Sequence, residues 1–316
     1  MKRQFLIVTA AALMMLYAFT AFAAAPPRIN FESGGATGIY FSLGGVIAQQ
    51  LREKGVVDIT IQSTGASGEN VRLVDANEVP FGFTQTDVAY AAFNGIEPQK
   101  RKHENLTAVV ITHGEIMHAM ARAGIGVTKL EDLKGRKMSP GARGSGNEFN
   151  CRQIFPFFGL SYENLSPVFL PYGESADQFK DRQIDGFLFT FGFPHPIIMD
   201  ITTSHEVTYL PIAGKQADDI IAKFPYFVKT IIPANTYRGQ SADVPTLGVK
   251  AMIIAHKDTP AELVYTFLKG FFENLEGIQA NHSQGKETSL QKAMEGMTVP
   301  LHPGAEKFYK EKGLIK

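Results

Sequence analysis

Apolar and polar residues recur along the chain as one unit: a short apolar run, a loop rich in Gly, Ser or Thr, and a stretch whose apolar positions have helical spacing. In the first unit, residues 28–31 lead through a glycine-rich loop into a segment of helical periodicity. There Leu43, Val46, Ile47 and Leu51 share one face. The pattern predicts a strand, a polar loop and an amphipathic helix.

The same order recurs in five further units. Their predicted strands cover 58–62, 81–83, 137–139, 167–171 and 186–190. Residues 106–112 and 116–121 are predicted as two strands that leave the first block of units. A late strand over 247–255 then precedes a helix over 261–275. Strands that alternate with helices in this way are typical of parallel sheets covered by helices.

Two such blocks predict an α/β protein with two domains, each a mostly parallel sheet flanked by helices. We expect the late strand and helix to return to the first domain. Domain I then covers 24–115 and 246–316, and domain II covers 116–245. The chain would cross between the domains twice.

The N-terminus has the pattern of a secretory signal peptide. Lys2 and Arg3 precede an uncharged run over 5–22, which ends in small residues. The run is shorter than the roughly 20 apolar residues that span a bilayer. We therefore expect a signal peptide at 1–23 that is cleaved near Ala23, with an uncleaved anchor as the alternative. The mature protein is predicted to be periplasmic, without stable membrane insertion.

Charge and composition exclude several classes of protein. The chain has 31 basic and 31 acidic residues, so loss of Lys2 and Arg3 leaves a net charge near −2. No polybasic patch suggests a nucleic-acid partner. The single cysteine, Cys151, cannot form an internal disulfide and is predicted to be a small buried hydrophobe. The apolar content of 44% is sufficient for an ordinary core.

The polar loops after the strands form the candidate binding site. Ligands of open parallel sheets bind beyond the carboxyl ends of the strands, where helix N-termini favour negative charge. The side chains suited to hydrogen-bond a small anion there are Tyr40, Thr64, Ser67, Gln85, Ser145 and Asn147. Taken singly, Ser67 and Ser145 also suit helix N-caps, and Tyr40 suits the core.

Other chemistries fit the sequence less well. The first loop, residues 34–38, lacks the Rossmann dinucleotide pattern and the lysine of a phosphate-binding P-loop. His113, Glu115 and His118 lack the spacing of a zinc protease, so we interpret the histidines as ordinary strand residues. No hydrolase elbow is present, and His195 between two prolines is predicted to be a turn residue. We expect no catalytic residue, no metal and no cofactor.

With these residues assembled, the chain resembles the TAXI family, the solute-binding proteins of one class of TRAP transporters. The resemblance is carried by GGATGIYFSLGG, QSTGASGENVRLVDANEVPFGFTQTDVAYAAFNG, LEDLKGRKMSPGARGSGNEF and PLHPGAEKFYKEKGL, in that order. It implies a periplasmic-binding-protein-like (type II) fold whose two domains close around a ligand cleft. The implied ligand is a small carboxylate, either glutamate or a C4 or C5 dicarboxylate such as 2-oxoglutarate. The implied partner is a TRAP-type membrane permease.

Ligand contacts follow from the matching motifs and loops. The predicted set is Gly38, Tyr40, Thr64, Gly65, Ala66, Ser67, Gln85, Arg143, Ser145, Gly146, Asn147 and Gly192. Arg143 replaces a proline of the family loop, and we hypothesise that it pairs with a ligand carboxylate; exposure to solvent is the alternative. Glu32 is expected to be solvated, with a ligand ammonium contact as its alternative. Pro156 is expected to end or kink a helix near Phe155.

The sequence thus predicts a non-enzymatic, monomeric receptor that closes over a small anion. Two alternatives stay open at this point. One is a ligand-sensing subunit that presents its closed form to a membrane signalling protein. The other is a hydrolase on a similar scaffold, which would need a positioned nucleophile and base.

Overall fold

The computed structural model describes residues 26–96 and 101–316. The predicted signal peptide at 1–23 therefore lies outside the described residues. In the described ranges, every helix is too short or too polar to cross a bilayer.

Strands and helices alternate through most of the described chain. The strands are β1 (Arg28–Glu32), β2 (Asp58–Gln62), β3 (Phe81–Gln85), β4 (Leu106–Arg122), β5 (Lys137–Ser139), β6 (Ser166–Pro167), β7 (Gly186–Phe191), β8 (Val207–Tyr209), β9 (Val228–Ile232) and β10 (Val244–His256). The α-helices are α1 (Ile39–Glu53), α2 (Ser67–Asp75), α3 (Thr86–Asn94), α4 (Gly146–Ile154), α5 (Tyr172–Lys180), α6 (Pro196–Ser204), α7 (Gly214–Lys223), α8 (Ala261–Glu273), α9 (Leu275–Asn281) and α10 (Pro303–Glu311).

These strands form one sheet in the order β2-β1-β3-β10-β4-β7-β5-β6, with β8 paired to β4 and β9 paired to β10. In the first half of the sheet, β1 pairs in parallel with β2 and β3. In the second half, β5 pairs in parallel with β6 and β7. The predicted α/β class, with a mostly parallel sheet in each half, is confirmed.

Two long antiparallel strands, β4 and β10, join the two halves. β10 pairs with β3 of the first half over residues 251–255, and β4 pairs with β7 of the second half over 116–121. The two long strands also pair with each other. The chain thus passes between the halves within β4 and returns within β10. The exact domain boundaries at 115 and 246 stay a prediction.

The expectation of two separate strands over 106–112 and 116–121 is wrong, because β4 runs through both. Gly114 and Glu115 stay extended and pair with Lys250 and Val249 of β10. The interruption in the apolar pattern corresponds only to a register shift beside Lys250. Pairing with β10 on one edge keeps the polar middle of the strand extended, which local composition does not predict.

Aromatic packing fixes the start of α1 on the first half of the sheet. The Tyr40 ring stacks on Phe83 with centroids 4.8 Å apart, and Phe83 contacts Phe31 at 5.1 Å. Leu43 and Ile47 continue the buried face of the helix. Each such buried side chain contributes roughly 1.5–3 kcal/mol, so the beginning of α1 is held firmly in place.

Proline sets the local structure of the second half. α4 ends at Ile154 and continues as a 3₁₀ turn over 155–158 that contains Pro156, which confirms the predicted helix end. The predicted strand over 167–171 is shorter, since only Ser166–Pro167 pairs as β6. Pro171 has no N–H to donate to a sheet and instead precedes α5, which begins at Tyr172 directly after the predicted strand.

Candidate functional site

A cavity of about 110 Å³ lies between the two halves. Ten of the twelve predicted site residues line it: Gly38, Tyr40, Thr64, Gly65, Ala66, Ser67, Gln85, Ser145, Gly146 and Asn147. The structure thus brings together loops from both halves, as expected for the carboxyl ends of strands in one sheet. Ligand contact by these residues stays a prediction.

Four helix N-termini meet at the cavity, two from each half. The residues just before the helices are Gly38 for α1, Ala66 for α2, Ser145 for α4 and Pro171 for α5, and all four line the cavity. First-turn N–H groups have no partner within their own helix. The helix dipole also favours negative charge at this end. The backbone therefore makes the cavity suited to an anion.

The loop before α2 has a strained backbone at the cavity wall. Ala66 has φ 69° and ψ −148°, a conformation close to one that only glycine adopts readily and that costs about 1–3 kcal/mol for other residues. Hydrogen bonds hold the loop in place: Thr64 Oγ1 donates to Asn70 Oδ1 at 2.7 Å, and the Gly65 N–H donates to Glu69 Oε2 at 2.5 Å. Strain fixed in this way is typical of ligand sites.

Glycines let the two halves approach each other beside the cavity. A Cβ atom on Gly68 would lie 2.3 Å from the carbonyl oxygen of Gly144. A Cβ atom on Gly146 would lie 2.1 Å from Gln85 Oε1. Real side chains do not approach so closely, so the backbone contact requires glycine at position 68, whereas a side chain at position 146 would require the Gln85 side chain to move. The two halves thus contact each other directly beside the cavity.

Five buried polar atoms at the cavity have no hydrogen-bond partner among the described residues. They are Tyr40 Oη, Gln85 Oε1, Glu115 Oε2, Asn147 Oδ1 and Thr190 Oγ1. Each of these side chains is more than nine-tenths buried. A buried polar atom without a partner costs about 1–3 kcal/mol, and native proteins normally pair such atoms. The set offers a polar ligand in the cavity several hydrogen-bonding partners.

Glu115 is the only Asp or Glu among the described residues that line the cavity, and that lining contains no Lys, Arg or His. Burial raises the pKa of Glu115 to about 8. Tyr40 and Gln85 lie near enough to oppose part of this rise, but neither forms a hydrogen bond of standard geometry with the carboxyl group. His113 Nε2 is 3.8 Å from Glu115 Oε1. Burial lowers the pKa of His113 to about 3, so the ring is neutral at pH 7.

The two charged residues that departed from the family pattern lie outside the cavity. Arg143 is exposed, and its guanidinium stacks over the Phe169 ring at 3.7 Å from the centroid. The structure thus does not bring Arg143 to the site. The expectation that Glu32 is solvated is wrong, because its exposure is 5%. Burial, with the nearby Glu69 charge, raises the pKa of Glu32.

Gly192 also lies outside the cavity lining. A Cβ atom on it would meet Gln284 Oε1 at 2.0 Å, so this glycine allows a close approach of the Gln284 side chain. His195 is buried and caps α6, since its Nδ1 accepts a hydrogen bond from the Ile197 N–H at 3.2 Å. Cys151 is buried, as predicted.

Sequence reasoning missed ten residues of the cavity lining, among them Glu115, Tyr172 and Thr190. Thr190 ends a predicted strand, and ligands bind at the carboxyl ends of parallel strands, so this residue could have been predicted. Tyr172 directly follows the predicted strand over 167–171, where a polar loop was expected, but it is the first residue of α5. Glu115 was considered only as a metal ligand. Within the described ranges, no group of three or more His, Cys, Asp or Glu is arranged to hold a metal ion.

The profile of the NMT1-like family matches residues 31–313, nearly the whole described chain. The chain belongs to the NMT1-like family. The match includes all four helix N-termini of the cavity.

Solved structures with the same fold include two binding proteins and a protein from Bordetella bronchiseptica RB50. The periplasmic binding protein BugD matches with a TM-score of 0.55 and 11% identity, over 91% of this chain and 98% of BugD. A protein from Bordetella bronchiseptica RB50 matches with a TM-score of 0.51 and 13% identity, over 92% and 83%. The substrate-binding protein of an amino acid ABC transporter matches at 0.50 and 10%, over 80% and 96%. The predicted periplasmic-binding-protein-like (type II) fold is confirmed.

Proposed function

We propose that this protein is a periplasmic receptor that closes over a small carboxylate and delivers it to a membrane permease. The observation that carries the proposal is the convergence of four helix N-termini and five unpartnered polar atoms on one cavity. The N-termini favour a negative group, and the polar atoms supply the remaining hydrogen bonds. Both halves contribute, so a ligand would stabilise the closed form over the open one.

The volume of the cavity limits the size of the ligand. About 10–15 Å³ of such space holds one water molecule, so 110 Å³ suits a ligand of roughly ten non-hydrogen atoms. Glutamate and C4 or C5 dicarboxylates such as 2-oxoglutarate are of this size. A dinucleotide is far larger.

The cavity supports binding better than catalysis. Its described lining offers hydroxyl groups but no histidine that would act as a base beside them. Two of the similar structures are also binding proteins. A receptor without enzymatic activity therefore fits these residues better than a hydrolase. Signalling by the closed form would use the same cavity, so the membrane partner decides between transport and sensing.

The TRAP-type permease is proposed on the sequence resemblance to the TAXI family, while one similar structure belongs to an ABC transporter. Uptake of labelled ligand into vesicles that contain the co-encoded permease would distinguish the two. We expect uptake to need this receptor and an ion gradient. Uptake that requires ATP would contradict the TRAP assignment.

Titration calorimetry on protein stripped of ligand by unfolding and refolding tests the receptor function. We expect one-to-one binding, micromolar or tighter, of one compound among glutamate, glutamine, 2-oxoglutarate, succinate and malate, without turnover over hours. Arg143→Ala is a matched control, because Arg143 stacks on Phe169 outside the cavity. It should change the affinity by less than about tenfold, or 1.4 kcal/mol. Absence of binding to every compound, or turnover of the bound one, would contradict the proposal.

A further inference from the structure

The one acidic side chain at the cavity stands on the strand that joins the two halves. Glu115 lies in the middle of β4, pairs through the backbone with Val249 of β10, and is 4% exposed. Its Oε2 atom has no hydrogen-bond partner among the described residues. A buried carboxylate normally has a cationic or hydrogen-bonding partner, because removal from water strongly disfavours its charge.

The residues around Glu115 do not supply a cation. The titratable groups on the neighbouring elements are Tyr40, Asp87, His113, Tyr172, Lys250 and Glu287. Of the two basic groups, His113 is neutral at pH 7, as its lowered pKa shows. The ammonium group of Lys250 is paired with Glu295 at 2.8 Å. A positive charge beside Glu115 would therefore have to come from the ligand.

The rest of the cavity favours a negatively charged ligand group, whereas Glu115 favours a positively charged one. Four helix N-termini favour a negative group, and no basic side chain belongs to the described lining. A ligand with two carboxylates would place two negative charges in a cavity whose described lining has only backbone dipoles and neutral side chains to balance them. A ligand with one positive and one negative group would match both parts of the cavity.

We infer that the ligand carries an amino group, which Glu115 holds as an ammonium ion, as well as a carboxylate at the helix N-termini. This inference rests on the proposed receptor function and names the substrate class: an amino acid rather than a plain dicarboxylate. The ammonium ion would donate to Glu115 Oε2, the atom that has no partner in the described structure. Glu115 then takes the role first considered for Glu32.

The pairing of Glu115 with an ammonium ion should also change the protonation of Glu115, which can be measured. Burial holds the pKa of Glu115 at about 8, so the group is mostly protonated at pH 7 when no ligand is bound. An ammonium ion favours the charged carboxylate and lowers that pKa. Binding should therefore release protons, with the buried Asp87 as the other carboxyl group near enough to take part.

The test uses pairs of ligands that differ only in the α-amino group. L-glutamate is compared with glutarate, and L-norvaline with pentanoate, by calorimetry at pH 7 on stripped protein. We expect the amino acid of at least one pair to bind tenfold or more tightly than its partner. Glu115→Gln, which keeps the shape of the side chain, should weaken the amino acid at least tenfold and leave the deaminated compound unchanged or tighter.

Glu32→Gln is the matched control, because Glu32 is also a buried carboxyl group but lies outside the cavity. It should keep the preference of the unmodified protein. Titration in two buffers of different ionisation enthalpy should show proton release for the unmodified protein and less for Glu115→Gln, in which Asp87 is the remaining buried carboxyl group near the cavity.

The outcomes separate this inference from the receptor function. If deaminated compounds bind as tightly as amino acids, or Glu115→Gln weakens both members of a pair equally, the amino-group inference is wrong and the receptor stands. If no compound of either kind binds, the receptor proposal fails and the inference fails with it. The ligand pairs on unmodified protein give the answer even where Glu115→Gln does not fold.

Discussion

On each of the two cavity walls, an asparagine side chain donates hydrogen bonds to backbone oxygens, but the two asparagines differ in one respect. In the first half, Asn70 donates to the backbone oxygens of Ser33 and Phe83, and in the second half Asn147 donates to those of Pro140 and Leu188. Each asparagine thus ties a helix start to the strands below it.

The difference lies in the amide oxygens. Asn70 Oδ1 accepts a hydrogen bond from Thr64, whereas Asn147 Oδ1 has no partner among the described residues. The fold can therefore satisfy such an oxygen, as the first wall shows. The oxygen left unpaired on the second wall is better explained by a ligand than by a requirement of the architecture.

The largest predicted effect comes from holding the two walls apart. Gly68→Ala would place a Cβ atom 2.3 Å from the Gly144 carbonyl oxygen, which is backbone and has little freedom to move. The open form does not need this contact, and alanine favours a helix by up to about 1 kcal/mol over glycine. We expect ligand affinity to fall about a hundredfold, or 2.7 kcal/mol, with no loss of thermal stability in the stripped protein.

Gly45→Ala is the control for this variant. Gly45 is also a helical glycine, and a Cβ atom there would meet nothing within 4 Å. Calorimetry should find its affinity unchanged. If Gly68→Ala binds as tightly as Gly45→Ala, the closed packing of the two halves is not the binding form.

Two threonines, one on each wall, also differ in whether their hydroxyl groups have hydrogen-bond partners. Thr64 on the first wall has a hydroxyl group with two partners, Asn70 Oδ1 and the Ala66 N–H, whereas Thr190 Oγ1 on the second wall has none. Thr190→Val should therefore keep or raise thermal stability but weaken ligand binding roughly fivefold to tenfold. Thr64→Val should lower the free energy of unfolding by about 1–3 kcal/mol, because it leaves buried groups unpaired.

Thermal unfolding of the stripped variants, followed by calorimetry, separates the two effects. Equal losses of stability in both variants would show that the two hydroxyl groups have the same structural role. The Thr190 hydroxyl would then not face the ligand.

The loops and helix starts of the site were predictable, but most side-chain partners were not. Glycine-rich loops after strands predict N-termini at one edge of a sheet, and this rule found Gly38, Ser67 and Ser145. The Gly68–Gly144 contact joins residues from different halves, so no local pattern contains it. A side chain's partner depends on which segment folding brings near it.

The three charged residues illustrate that limit. Arg143 was assigned to the ligand because of its place in a glycine loop, but its guanidinium stacks on the Phe169 ring and is not part of the cavity lining. Glu32 and Glu115 both stand in strand-like segments, and their sequence neighbours do not tell which one reaches the cavity. Segments that are distant in sequence pack around both residues and determine which one lines the cavity.

The smallest predicted effect is a pH dependence that comes from Glu115. Its pKa is about 8 in the folded protein, against an ordinary value near 4.3 when unfolded. The folded state thus binds an extra proton, and stability falls as pH rises through the folded pKa. Histidines 113, 118 and 195 act in the opposite direction, since burial lowers their pKa values to about 3, 4 and 3. Their contribution still rises between pH 6.5 and 7.5, because an unfolded histidine with a pKa near 6.5 loses its remaining protons in that range.

Between pH 6.5 and 7.5, the histidines and the buried carboxyl groups therefore act in opposite directions, and the comparison with Glu115→Gln isolates the contribution of Glu115. Asp87, whose pKa burial raises to about 7, adds to the decline in the lower part of this range. We expect the stripped protein to lose about 1 kcal/mol through Glu115 over this range, and Glu115→Gln to lose correspondingly less. Chemical unfolding at both pH values measures the difference. Equal slopes for the two proteins would mean that Glu115 is already ionised in the ligand-free form, in which case ligand binding would release no proton from it.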